Sequence, residues 1–160
     1  MNESYHKEIT RAALSLTATK LLSQILSEKS VIGDRGEANS QSVSHFDNCC
    51  WYEGVRWIEE HRQNAVDASI KYFSSGNEAD FNSVCENLRY LIHTTEDFYS
   101  HSNWVENNDW GVIADFSAPK PIWWYSGYYK NSKPNFYKAY CAAIIAIHTF
   151  LREISTSGIV

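Results

Sequence analysis

The chain has 160 residues, of which 44% are hydrophobic and 21% charged, and its net charge is −5 when the histidines are neutral. This length and composition fit one globular domain with a real core, which we expect to span residues 1–160. The acidic balance argues against a general polyanion-binding protein, because such proteins usually carry a basic stripe. It does not exclude a phosphodiester substrate, since bound metal would reverse the local charge.

Four segments carry apolar residues at helical spacing, and no strand alternation of useful length occurs, so the sequence predicts an all-α fold. The predicted helices are Tyr5–Leu26, Tyr52–Phe73, Ala79–His101 and Phe136–Ile154. Ser27–Ser44 is rich in small and polar residues and predicts a loop, and Gly76 predicts a turn. Asn103–Pro134 holds all three prolines and many aromatic residues, which predicts a long aromatic-rich loop before the last helix.

The sequence also bears on localisation and on the state of the cysteines. No apolar run approaches the roughly 20 residues of a membrane span. Met1–Leu26 is amphipathic and is no signal peptide, which favours a cytoplasmic protein; a signal that was removed would instead mean secretion. The cysteines form no Cys-x-x-Cys pair, so free buried thiols are the favoured interpretation, with disulfides open for an exported chain. These cysteines are Cys49, Cys50, Cys85 and Cys141.

The strongest chemical signal is the recurrence of His93, Asp97 and His101 every four residues. Four helical residues turn through roughly 400°, so all three side chains face one side. The rise of about 12 Å from His93 to His101 is too long for both to bind one zinc, but each neighbouring pair can share an ion. The spacing indicates one metal with two helix ligands, or two metals with Asp97 between them. The alternatives are a polar helix face in solvent or an i,i+4 Asp–His pair without metal; Phe98 and Tyr99 in the same turns argue against a fully solvated face.

Weaker candidates lie on other segments. His45-Phe46-Asp47 places a histidine and an aspartate on an irregular segment that can direct both at one site, although an exposed histidine and a capping aspartate explain it equally well. His6 lies in the first turn of the first predicted helix, where a histidine is usually exposed. Glu106 could complete a second metal shell or act as a base, and a surface glutamate is the alternative.

The aromatic loop also has two interpretations. Its residues either pack over the helices or form a rim that faces lipid, because tryptophan and tyrosine suit the membrane interface and can surround a quaternary ammonium group. The residues expected to make such peripheral membrane contact are Trp123, Trp124 and Tyr125.

Taken together, the motifs resemble a known family. The run Leu91–Glu106, LIHTTEDFYSHSNWVE, resembles the signature of Het-C-type domains, named for a fungal heterokaryon-incompatibility protein. Related domains precede von Willebrand A modules in some animal and bacterial proteins. His6–Leu14 is similar to the opening His-x-x-Ile-Thr helix of these domains, and His45–Asp47 resembles their His-Phe-Asp segment. More distantly, the pattern resembles the all-helical zinc-dependent phospholipases C and single-strand-specific zinc nucleases.

This resemblance implies a single-domain helical bundle of the zinc-dependent phospholipase C type that binds two or more zinc ions. The implied direct ligands are His6, His45, His93 and Asp97, and His101 would begin a further shell. The sequence departs from the enzymes in two ways: the spacing after the aspartate is four rather than about six, and no His-x-x-x-Glu pair follows the motif. These departures favour a two-metal or degraded site over three complete zinc sites.

The expected function is a metal-dependent phosphodiester hydrolase, with phospholipid favoured over nucleic acid. Zinc-activated water would attack phosphorus, and either Asp47 or Glu106 could be the general base. Two alternatives stay open: a non-enzymatic interaction or toxicity module with a structural metal cluster, and a zinc-dependent nuclease.

Overall fold

The computed structural model describes residues 3–15, 43–46, 50–101 and 133–157. Within these ranges the chain forms four helices and no strand. The helices are α1 (Glu3–Ser15), α2 (Trp51–Ser75), α3 (Glu78–His101) and α4 (Lys133–Thr156). The predicted all-α class is therefore confirmed for the described part of the chain, while the phospholipase C type of bundle stays a prediction.

The last helix begins earlier than predicted. The sequence predicts Pro134 at the end of the aromatic loop, but it lies in the first turn of α4, which starts at Lys133. A proline fits there because the first N–H groups of a helix need no intrahelical partner. The predicted continuation of the first helix to Leu26 falls outside the described residues, as do residues 103–132 of the aromatic loop.

The turn between α2 and α3 follows the chemistry of its residues. Gly76 has a φ of 64°, and its N–H donates to the carbonyl of Tyr72 at 2.8 Å. Glycine adopts this left-handed conformation without a Cβ penalty and so ends α2. The Asn77 side chain then accepts a hydrogen bond from the N–H of Ala79 at 2.9 Å, which caps the start of α3. One helix therefore ends and the next begins within a short turn, so that α2 and α3 are joined directly.

The helices pack around α3. It lies against α2 and α4, and α1 packs mainly on α4 while also touching α3. Buried side chains from all four helices fill the space between them, including Ile9, Ile58, Leu91, Ala143 and Phe150. None of the helices in the described ranges is long and apolar enough to cross a membrane.

The C-terminal half of α3 is buried on every side, from Leu91 to Tyr99. This is the half that carries the predicted metal residues, so they lie inside the protein and not on a solvated face.

A short turn, residues 43–46, is fixed against the core by one aromatic ring. Phe46 is fully buried, has a φ of 56°, and contacts Phe98 edge-on at 5.4 Å between ring centroids. Its ring lies directly over Gly54 of α2, where an added Cβ would come within 2.5 Å of it. Glycine is therefore required at position 54 for this close approach. The anchored ring places the preceding residue, His45, next to α3.

Candidate metal centre

Three segments bring four predicted site residues into one buried cluster. His6 comes from α1, His45 from the turn 43–46, and His93 and Asp97 from α3. Their exposed fractions are 0% for His6, 6% for His45, 1% for His93 and 0% for Asp97. Burial of ionisable groups is costly unless they are paired, hydrogen-bonded or bound to metal.

Asp97 lies at the middle of this cluster, and its two oxygens face different histidines. Its Oδ1 is 3.2 Å from Nε2 of His6. Its Oδ2 is 3.1 Å from Nε2 of His93 and accepts a hydrogen bond from Nδ1 of His45 at 2.6 Å. One carboxylate thus connects all three imidazoles.

The rings also contact one another directly. His6 and His93 stack with centroids 4.5 Å apart, and His45 meets His93 edge-on at 5.1 Å. Nε2 of His93 is 3.4 Å from Nδ1 of His45. The stacking fixes the relative directions of the ring nitrogens, so the donor atoms converge.

The geometry fits a divalent ion. One ligand atom each from His6, His93 and Asp97 lie within 4.8 Å of one another. Zinc bonds of about 2.0–2.1 Å in a tetrahedral arrangement place neighbouring ligand atoms about 3.3 Å apart. The separations of 3.1 and 3.2 Å to Asp97 are close to this value. Nε2 of His6 is also buried without a hydrogen-bond partner among the described residues. This cluster can hold a metal, with His45 beside it on Asp97.

Glu96 is a member of the cluster that the sequence analysis missed. It is fully buried, and its Oε2 accepts a short hydrogen bond from Nδ1 of His6. Its Oε1 accepts one from the hydroxyl of Thr10 at 3.3 Å. The sequence does contain a signal for Glu96. Apolar residues lie on several sides of α3 near it, which indicates a helix buried all round, and an ionisable residue in such a helix needs a partner.

The cluster's charges shift the pKa values of its members in the absence of metal. Burial lowers the pKa of His6, but the attraction of Asp97 and the close contacts with both Asp97 and Glu96 outweigh it and raise that pKa from 6.5 to about 10. Burial raises the pKa of Glu96 from 4.5 to about 7, although its contact with His6 opposes the rise. The metal-free cluster therefore holds protons at neutral pH.

Other predicted site residues lie outside the described part of the structure. His101 is the last residue of α3, but its side chain lies outside the described part of the structure. Asp47 and Glu106 lie outside the described ranges, and so does the proposed lipid-facing set. That set is Trp123, Trp124 and Tyr125. The roles of all these residues stay predictions.

Comparison with known proteins gives one family. No curated protein and no solved structure matches the chain. The profile of the VWA7 N-terminal domain family matches residues 3–121, which is most of the chain and includes every residue of the buried cluster. The chain therefore belongs to the VWA7 N-terminal domain family.

Proposed function

We propose that this domain binds zinc at the His6–His93–Asp97 cluster and that the centre serves a phosphodiester hydrolase of the phospholipase C kind. The observation that carries the proposal is the position of Asp97, whose two oxygens face imidazoles from three separate segments. Neutral imidazole and carboxylate are donors that zinc prefers. A buried set of these donors, with their ring nitrogens converging, is better explained by a metal than by helix packing alone.

The chemistry divides between the ion and the chain. Zinc, when bound, supplies Lewis acidity at neutral pH, which withdraws charge from a phosphoryl oxygen and makes water more acidic. Asp97 supplies the negative charge that holds the ion, and His6 and His93 supply neutral nitrogen donors. His45 donates to Asp97 and so fixes the direction of its carboxylate. Asp47 or Glu106 is the proposed general base.

Phospholipid is the favoured substrate class. The net charge of −5 provides no general attraction for a nucleic-acid backbone. The aromatic residues Trp123, Trp124 and Tyr125 suit a lipid interface. The resemblance to zinc-dependent phospholipases C points the same way.

The burial of the cluster favours a second candidate function, a non-enzymatic module with a structural metal. Structural zinc sites are closed by protein ligands, whereas catalytic sites keep one position open for water or substrate. His45 is the most exposed member of the four and is only 6% exposed. In this alternative the ion joins α1 to α3, the turn 43–46 is held through the hydrogen bond from His45 to Asp97, and no substrate reaches the ion.

Metal content and hydrolysis test the proposal together. Protein purified after zinc supplementation is expected to hold about one or two equivalents of zinc by elemental analysis, and to hydrolyse a chromogenic phosphodiester. Asp97→Asn preserves shape but removes the shared charge, so bound zinc should fall below about 0.1 equivalent and turnover by about 100-fold or more. Asp67→Asn, an exposed carboxylate on α2, is the matched control and should change neither.

Each outcome decides between the candidates. Wild-type protein with less than about 0.1 equivalent of zinc would overturn the metal centre. Bound zinc without turnover of phosphatidylcholine, single-stranded DNA or the chromogenic diester would overturn the hydrolase and support the structural module. Faster cleavage of single-stranded DNA than of phosphatidylcholine would identify a nuclease.

A further inference from the structure

We propose that Glu96 is a positioning residue that holds the His6 ring with Nε2 directed at the metal site. This inference rests on the proposed zinc centre, but it concerns a residue that the predicted ligand set does not contain. The predicted ligands from this part of α3 are His93 and Asp97, and Glu96 lies between them in sequence on a different face of the helix.

The hydrogen bond from His6 Nδ1 to Glu96 determines which nitrogen of His6 can ligate. A neutral imidazole has one N–H and one lone pair, and the partner of the N–H fixes where the lone pair lies. Because Glu96 accepts the Nδ1 proton, the lone pair of neutral His6 is at Nε2. That nitrogen lies 3.2 Å from Asp97 Oδ1, inside the metal cluster. Metal-ligating histidines commonly have such a carboxylate partner.

Both oxygens of Glu96 are engaged by α1, which makes it a support and not a ligand. Oε2 accepts from His6 and Oε1 accepts from Thr10. His6 and Thr10 are four residues apart, so they lie one helical turn apart on the same face of α1. The carboxylate is thus clamped between two side chains of one helix face, and its orientation follows that of α1. A ligand role would require one of these bonds to break.

Glu96 also balances charge at the centre. Asp97 and Glu96 together carry two negative charges when ionised, which matches one divalent ion in this buried region. Charges of opposite sign interact more strongly where the effective dielectric constant is low. A negative partner on the far side of His6 also raises the basicity of Nε2 as a donor. Loss of Glu96 should therefore weaken metal binding even when His6 stays in place.

Two substitutions separate the hydrogen bond from the charge. In Glu96→Gln, the amide oxygen can still accept from His6, and its NH₂ group can donate to Thr10. In Glu96→Leu, both bonds are lost while the volume is roughly kept. Glu86→Leu is the matched control, because Glu86 is an exposed glutamate on the same helix. All three variants are made in the full chain.

The first measurement is zinc affinity by competition with a chromophoric chelator. Glu96→Leu is expected to bind zinc about 10- to 100-fold more weakly than wild type, and Glu96→Gln less than about tenfold more weakly. Glu86→Leu should bind like wild type. Equal affinity of Glu96→Leu and wild type would overturn the positioning role.

The second measurement is NMR of the His6 ring nitrogens, which a merely structural role would not predict. Wild type and Glu96→Gln should show a protected, downfield Nδ1 proton and, with metal, ligation through Nε2. In Glu96→Leu that proton signal should disappear. The Nδ1 proton is also measurable in metal-free protein, so it decides the role of Glu96 even if the wild type binds no zinc and the proposed centre fails. An unchanged signal in Glu96→Leu would overturn the inference.

Discussion

At the scale of single residues, His6 is strongly affected by its charged neighbours. Asp97 and Glu96 hold its proton so strongly that its pKa rises to about 10 in metal-free protein. At pH 7 the ring is therefore protonated, and the Nε2 proton must leave before that nitrogen can bind a metal. Metal and proton compete for the same lone pair.

Zinc binding should therefore release at least about one proton at pH 7, and the apparent affinity should rise by up to about tenfold per pH unit between pH 6 and 8. The sign follows from the raised pKa: below it, every zinc ion displaces a proton. Calorimetric titrations in two buffers of different ionisation enthalpy measure the number released.

The matched control for this proton release is His61→Gln. His61 lies on α2, outside the cluster, and donates a hydrogen bond to Asn87 at 2.7 Å. Burial lowers the pKa of His61, in contrast to the raised pKa of His6. The variant should release as many protons as wild type. Zinc binding with no net proton release would contradict the raised pKa of His6.

The residues of the cluster were predictable in part. His93 and Asp97 follow from helical spacing, while His6 and His45 were joined to them only by the resemblance of whole motifs. Spacing within one helix shows which side chains share a face, but it contains no information on which distant segment packs there. Glu96 was missed because its partners, His6 and Thr10, lie on α1, some ninety residues away in the chain.

At the scale of elements, the turn 43–46 depends on the contact between Phe46 and Gly54. Gly54→Ala would place a Cβ within 2.5 Å of the Phe46 ring, which has little room to move because it also packs on Phe98. Overpacking of this kind costs about 1–3 kcal/mol, and the better helix propensity of alanine offsets about 1 kcal/mol of that. The shifted ring would also displace His45 from Asp97.

We expect Gly54→Ala to lower the free energy of unfolding by up to about 2 kcal/mol and to weaken zinc binding. Urea denaturation and chelator competition measure the two effects. Asn64→Ala, at an exposed position of the same helix, is the control and should change neither appreciably. A Gly54→Ala protein that is more stable than wild type and binds zinc normally would show that the turn does not depend on this contact.

The helices themselves were largely predictable, because their signals are local. Apolar spacing located α2, α3 and α4, and Gly76 marked the turn between α2 and α3. Pro134 misled the prediction of the start of α4, since proline both breaks helices and begins them. The left-handed φ of Phe46 had no sequence signal at all, because the packing of its ring and not its own preference selects that conformation.

At the scale of the whole molecule, the cluster joins α1 to α3. Among the described residues α1 packs mainly on α4 and touches α3 over a smaller area, and the cluster lies at this smaller contact. Without metal, this contact depends on hydrogen bonds among buried ionisable groups, which offset their own desolvation only partly. A ligand set drawn from both α1 and α3 would therefore make zinc part of the folding energy.

Zinc at about 100 times its dissociation constant should stabilise the domain by about 2.7 kcal/mol, which raises the Tm by about 5–10 °C for a chain of this size. A chelator should reverse the shift.

The stabilisation should be greatest where the ion joins α1 to α3. Hydrogen exchange of α1 amides should therefore slow more than that of α2 amides, because α2 packs against α3 without the cluster. Differential scanning fluorimetry and hydrogen-exchange mass spectrometry measure the two effects, with Asp97→Asn as the control that should show neither. Equal slowing in α1 and α2 would mean that zinc stabilises the domain only globally, and an unchanged Tm would mean that the cluster does not couple metal to the fold.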